Sequence, residues 1–566
     1  MQAKKHILLF IVLCFVVRTG AQELSALQKK WQHWELHPIH SFLQIVPDTV
    51  SSVPNVAILK TRGSLKGILG KTYPMFCLGK DSINIDVRIK YKTSCCNNLR
   101  LTFHTIGYRA EVSDADTIDV PLSEEWTEHT FSLCVKPEFS LEVSIEAEGK
   151  SDIQTGDVYI ADICVSNGEE ELDDMDEGYW HVSQPSVSSI QSWNDLKTSS
   201  LMDKKILALG ETIHGTQTLN DIAYEIIKER ILNHDCKLVV LELPLSVALY
   251  MNRYVKNDPR YSLDTISEFV DAFSTFRYAP FLQWLKEYNA NHGNEVTLLG
   301  ADGEAYSIFG KMNLYNYLSC ANVAGQLDSL CYRIMYGEDV FPVDTCATNR
   351  ILSVRESVLL QYCLENMERY SIPRLQFAYR DEVMAEMMEK FCDSFLEQNT
   401  TVTFYGHFMH ANYVTSAAIS FIHDCPSMGT FMKKKYKDDY SCLTLSAKQG
   451  DAWFIAGNGD RELHPVQDAP VGSLENFASI HGKDSLAFIS VDNFDEQDVC
   501  KIRCASALYS SGQFSCWIPK ACMDGIICVK DVAHIDTSYE TGKIRDGKLN
   551  RKWFETLLEL KKRIGK

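Results

Sequence analysis

No G-x-S-x-G elbow, no H-E-x-x-H and no G-x-G-x-x-G occurs anywhere in the 566 residues. A covalent serine hydrolase, a zincin and a nucleotide-binding enzyme therefore lack the turns that define them. Gly70-Lys71-Thr72 has the end of a P-loop without its leading glycine. C-x-x-C pairs are also absent, and Cys500 and Cys504 have no histidine at zinc-finger spacing, so the 19 cysteines predict no metal site. Cys134, Cys164, Cys236 and Cys442 sit in apolar runs and read as small core residues. Positive charge is scarce: 56 Lys and Arg stand against 75 Asp and Glu, a net charge of −19. That balance excludes a nucleic-acid partner, which needs clustered Lys and Arg, and predicts an acidic solvated surface.

Long apolar runs are missing as well, apart from Ile7 to Val17, which is too short to span a membrane. No integral membrane segment is expected. Lys4 and Lys5 precede this run and Thr19-Gly20-Ala21 follows it, the order of a secretory signal. The chain is expected to be cut near Ala21 and exported, to the periplasm or outside the cell.

From about residue 45 to 168 the pattern alternates. Ser82 to Tyr91 places Ile83, Ile85, Val87, Ile89 and Tyr91 on one side, the mark of an antiparallel strand buried on one face. Leu99 to Thr105, Thr130 to Val135, Leu141 to Ala147 and Asp157 to Val165 repeat it, which predicts a β-sandwich. The acidic run Glu169 to Glu177 reads as part of a linker over 169–191.

A different pattern starts near Ser192. Lys205 to Leu209 runs into Gly210-Glu211-Thr212-Ile213-His214-Gly215, and Leu238 to Leu241 runs into Glu242. Val296 to Leu299 runs into Gly300-Ala301-Asp302, and Val402 to Tyr405 into Gly406-His407-Phe408-Met409-His410. Short apolar runs separated by helical stretches read as buried parallel strands. Leu219 to Leu232, Glu268 to Tyr288 and Arg380 to Gln398 supply the helices. The expected second domain, 192–535, is thus α/β, a parallel sheet with helices on both faces. A basic amphipathic tail helix over 536–566 follows, which packs on the domain or touches a membrane surface. Ligands of open α/β sheets sit at the carboxyl ends of the strands, so Glu211, His214, Glu242, Asp302, His407 and His410 should meet in one crevice.

Each of these residues has more than one chemical reading. Glu211 could fix the tautomer of His214 and make it a general base for water, or the pair could be a capping acid and a satisfied histidine. His407 and His410 could bind an oxyanion, hydrogen-bond a substrate carbonyl or ligate a metal. Arg380 could clamp a carboxylate or ester oxygen, and Asp381 could serve substrate or simply suit the first turn of its helix. Ser473 before Glu475 reads as a helix cap.

Taken together, these motifs resemble the erythromycin esterase family. That family is similar in its G-E-x-x-H-G after the first strand, its Glu ending the next, its R-D-x-x-M-A-E and its H-N-x-H. They correspond to Gly210 to Gly215, Glu242, Arg380 to Glu386 and His407 to His410. Trp284-Leu285-Lys286-Glu287-Tyr288-Asn289, Gly300-Ala301-Asp302 and Gly472-Ser473-Leu474-Glu475 resemble further elements of the family. Phe408 stands where the family usually has Asn, and Met387 follows Glu386 where Asn is common; both are expected to border the pocket. The stretch from Trp126 through Tyr159 to Ile163 resembles jelly-roll modules of the carbohydrate-binding type.

The resemblance implies a hydrolase that opens a cyclic ester such as a macrolide lactone, with no cofactor. His214 would activate water, Glu211 and Glu242 would assist, and His407 and His410 would bind substrate and transition state, with Arg380, Asp302 and Asp381 also at the substrate. The expected partners are a small-molecule ester or lactone and, through the sandwich, a glycan. Two other readings are a divalent-metal hydrolase built on the same residues and a glycan-binding envelope protein without turnover.

Overall fold

A computed structural model of the chain describes residues 35–37, 42–48, 53–62, 67–74, 82–106, 112–136, 140–150, 155–168, 171–172, 185–186, 190–264, 278–302, 308–322, 325–336, 352–369, 380–395, 399–414, 426–455, 461–482, 485–496, 498–505, 513–535 and 542–565. The expected signal segment, most of the acidic linker and residues 265–277 of the expected second helix lie outside them. Two compact units divide at His181 and Val182.

The first unit is all β. Its ten strands are β1 (Glu35–His37), β2 (Phe42–Asp48), β3 (Val53–Arg62), β4 (Gly67–Pro74), β5 (Ile83–Ser94), β6 (Cys96–Ile106), β7 (Val112–Asp119), β8 (Thr127–Val135), β9 (Ser140–Gly149) and β10 (Thr155–Ser166). They form two antiparallel sheets, β1-β4-β9-β6-β7 and β2-β3-β10-β5-β8. Alternation explains the packing. Ile85, Val87, Ile89 and Tyr91 of β5 are buried with Leu101, Phe103, Val143 and Ile145 of the other sheet. Each such side chain contributes about 1.5–3 kcal/mol on burial, so this layer holds the sheets together. The same alternation turns Cys134 outward on β8, where it is exposed and not a core residue. Leu172, from the acidic run, is buried in this core, and Glu171 bridges to Ser166.

The second unit is α/β. Its elements are β11 (Ile190–Gln191), α1 (Trp193–Lys197), β12 (Ile206–Glu211), α2 (Gln217–Asn233), β13 (Cys236–Pro244), α3 (Leu245–Val255), α4 (Tyr278–Asn291), β14 (Thr297–Asp302), α5 (Ile308–Ala321), α6 (Asp328–Tyr336), α7 (Val354–Arg369), α8 (Arg380–Phe395), β15 (Thr401–His407), α9 (Phe408–Ala411), α10 (Met428–Tyr436), β16 (Tyr440–Ile455), β17 (Arg461–Val466), α11 (Leu474–His481), β18 (Leu486–Ser490), β19 (Cys500–Arg503), β20 (Phe514–Trp517), α12 (Pro519–Cys522), β21 (Gly525–Val532) and α13 (Gly542–Arg563). The main sheet runs β11-β18-β21-β16-β12-β15-β13-β14, with β17 on β16. Its six central strands, β21 through β14, are parallel, while β18 and β11 extend it antiparallel. Every residue of β12 and β14 is buried, as helices on both faces require. Among the described residues no helix is long and apolar enough to cross a membrane.

The turn after β12 needs a glycine. Gly215 has φ +74°, and a Cβ there would lie 2.5 Å from the carbonyl oxygen of Trp453. Its own carbonyl accepts from the backbone N–H of Ile535. Gly215→Ala is therefore expected to lower stability by about 1–3 kcal/mol, read by urea unfolding, because both the left-handed backbone and the close approach are lost.

Candidate active site

Four adjacent parallel strands end on the residues that matter. Glu211 closes β12, His407 closes β15 and Asp302 closes β14, while Glu242 lies near the end of β13. Glu211 and His407 are paired neighbours across the ladder. Gly406 makes room between strands, since a Cβ there would lie 2.7 Å from Cβ of Glu242. Arg380 and Asp381 reach the same strand ends from the start of α8, and His410 from α9.

Glu211 is fully buried and accepts three hydrogen bonds. Nδ1 of His214 donates to Oε1 at 2.6 Å. The hydroxyl of Tyr405 donates to Oε2 at 2.5 Å, and Nδ2 of Asn220 approaches the same oxygen at 3.3 Å. Asn220 also donates to the Tyr405 oxygen at 2.7 Å. Burial pushes the Glu211 carboxyl above its usual range, against the bonds from His214 and Tyr405 that favour its charge. The His214 side chain is 11% exposed.

The three imidazoles differ in what they touch. Nε2 of His407 donates to the carbonyl of Ala505 at 2.8 Å, and its Nδ1 accepts from the backbone of Met409 at 3.3 Å as the cap of α9. Its ring packs on His214 with centroids 4.6 Å apart. Burial, then the neighbouring His214, brings His407 down to about 3, so it is neutral. His410 faces carboxylates instead, Asp381 at 2.9 Å from Nδ1 and Glu242 at 3.2 Å from Nε2. Burial opposes its charge, but Asp381 and Glu242 outweigh burial and raise it to about 10.

Arg380 joins the strands. Nε and Nη2 donate to the two oxygens of Asp302 at 3.2 and 2.7 Å, and Nη2 also donates to Glu242 at 2.9 Å. Nη1 lies 3.1 Å from His410 Nε2. Three carboxylates, Glu242, Asp302 and Asp381, thus surround two cations, Arg380 and the His410 imidazolium. Glu242 also accepts the backbone N–H of His407 at 2.6 Å. Burial disfavours its charge, yet His410 and Arg380 hold its carboxyl well below the usual range.

All eight residues named from the sequence belong to this connected cluster. Asp302 is directed at Arg380, and Asp381 at His410 and the backbone N–H of Met428. Phe408 is fully buried against Trp517, and Met387 is buried too. Ser473 caps α11, while Glu475 turns inward to Ser446 and the backbone of Arg503. Sequence reasoning missed Tyr405 and Asn220. The signal for Tyr405 was a hydroxyl inside an otherwise apolar strand, and for Asn220 an amide on the apolar side of α2.

The two histidines give opposite pH dependences. His410 holds its proton more tightly folded than unfolded, so its contribution is full below about 6.5 and is lost as pH rises through about 10. His407 is depressed, so its contribution is full above about 6.5 and is lost as pH falls toward about 3. Together they favour maximal stability near pH 6.5. In urea unfolding, His410→Gln is expected to flatten the decline between about pH 6.5 and about pH 10; an unchanged slope would contradict the charge assigned to His410.

No protein-family model matches the sequence, and no curated protein matches it. Among solved structures the chain is similar to a succinoglycan biosynthesis protein, at 14% identity and a TM-score of 0.46 over 62% of this chain and 95% of that one. It is similar to an erythromycin esterase mutant in its open conformation, at 14% identity and a TM-score of 0.43 over 60% and 94%. A carbohydrate-binding module in complex with β-1,4-galactotriose is similar at 12% identity and a TM-score of 0.19 over 24% and 90%.

Proposed function

We propose that the second unit is a hydrolase of carboxylic esters, acting on a macrolide-type lactone or another cyclic ester through water activated by His214. The observation that carries this reading is the buried Glu211 carboxylate on His214 Nδ1. A hydrogen fixed on Nδ1 leaves the Nε2 lone pair as the base. His407 spends both ring nitrogens on backbone groups and His410 lies between two carboxylates, so the base is His214.

In this reaction His214 takes a proton from water as the water oxygen bonds to the ester carbonyl carbon. The addition gives a tetrahedral oxyanion. Collapse breaks the bond to the alcohol oxygen, which takes the proton back from His214; the products are an acid and an alcohol, with no covalent enzyme intermediate. Glu242, Asp302 and Asp381 hold the two cations in place, and His407 positions the His214 ring. We also propose that the chain is exported, as its amino-terminal signal suggests, and that the sandwich holds a glycan. Trp126 and Tyr159 support the latter: both are partly exposed aromatic side chains, and the Lys92 ammonium lies over their rings at 4.8 and 4.9 Å from the centroids.

On a panel of esters and lactones, His214→Ala is expected to lose turnover by about 100-fold or more while keeping its thermal midpoint. Equal turnover by the variant would remove His214 from the reaction. Retention of the full chain on immobilised polysaccharides should weaken in Trp126→Ala; unchanged retention would count against the aromatic surface.

A further inference from the structure

We infer that Tyr405 and Asn220 are positioning residues: they keep Glu211 a proton acceptor, so that His214 holds its hydrogen on Nδ1 and its lone pair on Nε2. The inference rests on the reading of His214 as the base and deepens it. Asn220 lies outside the motifs that suggested the site, and Tyr405 entered them only as a member of an apolar run.

The argument starts from proton placement. With Glu211 as a carboxylate, His214 donates from Nδ1 and its Nε2 carries the lone pair. One further proton taken from solvent allows a second arrangement, in which Glu211 is a neutral acid donating to Nδ1 and the hydrogen of His214 sits on Nε2. That arrangement cannot accept a proton from water. Full burial favours it, because the neutral acid is cheaper than the carboxylate in a low-dielectric site.

Tyr405 and Asn220 oppose it. Their donors converge on Oε2, the oxygen that His214 does not use. A bond donated to a carboxylate is stronger than one donated to a neutral acid, so both groups favour the charged form. The order of donation is also settled. Tyr405 has one hydrogen, which goes to Glu211, and its oxygen accepts from Asn220. Tyr405 is fully buried and stays protonated, since burial and the adjoining Glu211 push its hydroxyl well above the ordinary phenol range. The ring is fixed edge-on to Tyr224, centroids 5.9 Å apart, and Tyr224 stacks on Phe281. The other titratable groups facing the pair are His407 from β15 and Glu242 from β13, with Arg380 and His410 beyond Glu242.

Tyr405→Phe removes the donor and keeps the ring. In protein labelled with ¹⁵N at histidine, with His214→Ala used to assign the resonance, wild type should show His214 with hydrogen on Nδ1 at neutral pH. In Tyr405→Phe the midpoint for proton uptake by Glu211, read at the His214 nitrogens, should rise by about one pH unit or more. The acid limb of any ester turnover should move by the same amount, with KM unchanged. An unmoved midpoint in a variant with the wild-type circular dichroism spectrum overturns the inference. Should Tyr405→Phe not fold, Asn220→Ala replaces it, with a smaller rise expected and no rise counting as refutation. If the midpoint moves while wild type cleaves no ester, the positioning role stands and the esterase reading falls.

Discussion

Buried charge must be matched locally, and the mouth of the sheet is organised around that requirement. Arg380 alone bridges carboxylates from β13 and β14, and His410 brings a further positive charge between Glu242 and Asp381. Removing one member would leave others ionised in a dry setting, a situation worth about 3–5 kcal/mol in comparable buried pairs. Glu242 is tied into the backbone as well as the charge network, since its second oxygen receives the N–H of His407 just where β15 gives way to α9. Strand spacing, loop path and charge placement are therefore a single problem with one solution.

The same logic separates three chemically identical side chains. An imidazole among backbone groups, His407, is kept neutral, and one between carboxylates, His410, is kept charged, while His214 rests on a single carboxylate. Such divergence is what lets neighbouring groups of one type take different parts in proton chemistry.

Much of this was legible from residue order. Four apolar runs ending on acid or imidazole become four adjacent strands because a strand buried on both faces has no other composition available. Alternation in Ile83 to Tyr91 identified a sandwich strand for the complementary reason, one wet face. What stayed hidden depended on partners far away in the chain. Tyr405 reads as core until Asn220 and Glu211 are brought to its hydroxyl. His407 reads as a ligand until Ala505 claims its Nε2 from an irregular segment. The bonds from Arg380 to Asp302 and Glu242 could not be read from residue order. Cys134 misled for a local reason, since a small residue in an apolar-looking strand can fall on either side of the pleat.

The strand order carries a consequence for how the molecule comes together. β15 sits between β12 and β13, although β12 and β13 are joined by a short connection and β15 enters the chain far later. Among the described strands, β13 with β14 on one side and β12 with β16 on the other meet through β15 alone. Until that late segment threads into the gap, two raw strand edges face each other and invite pairing with other chains. A ribosome-bound fragment ending before Thr401 would hold Glu211 and Glu242 without the strand that lies between them.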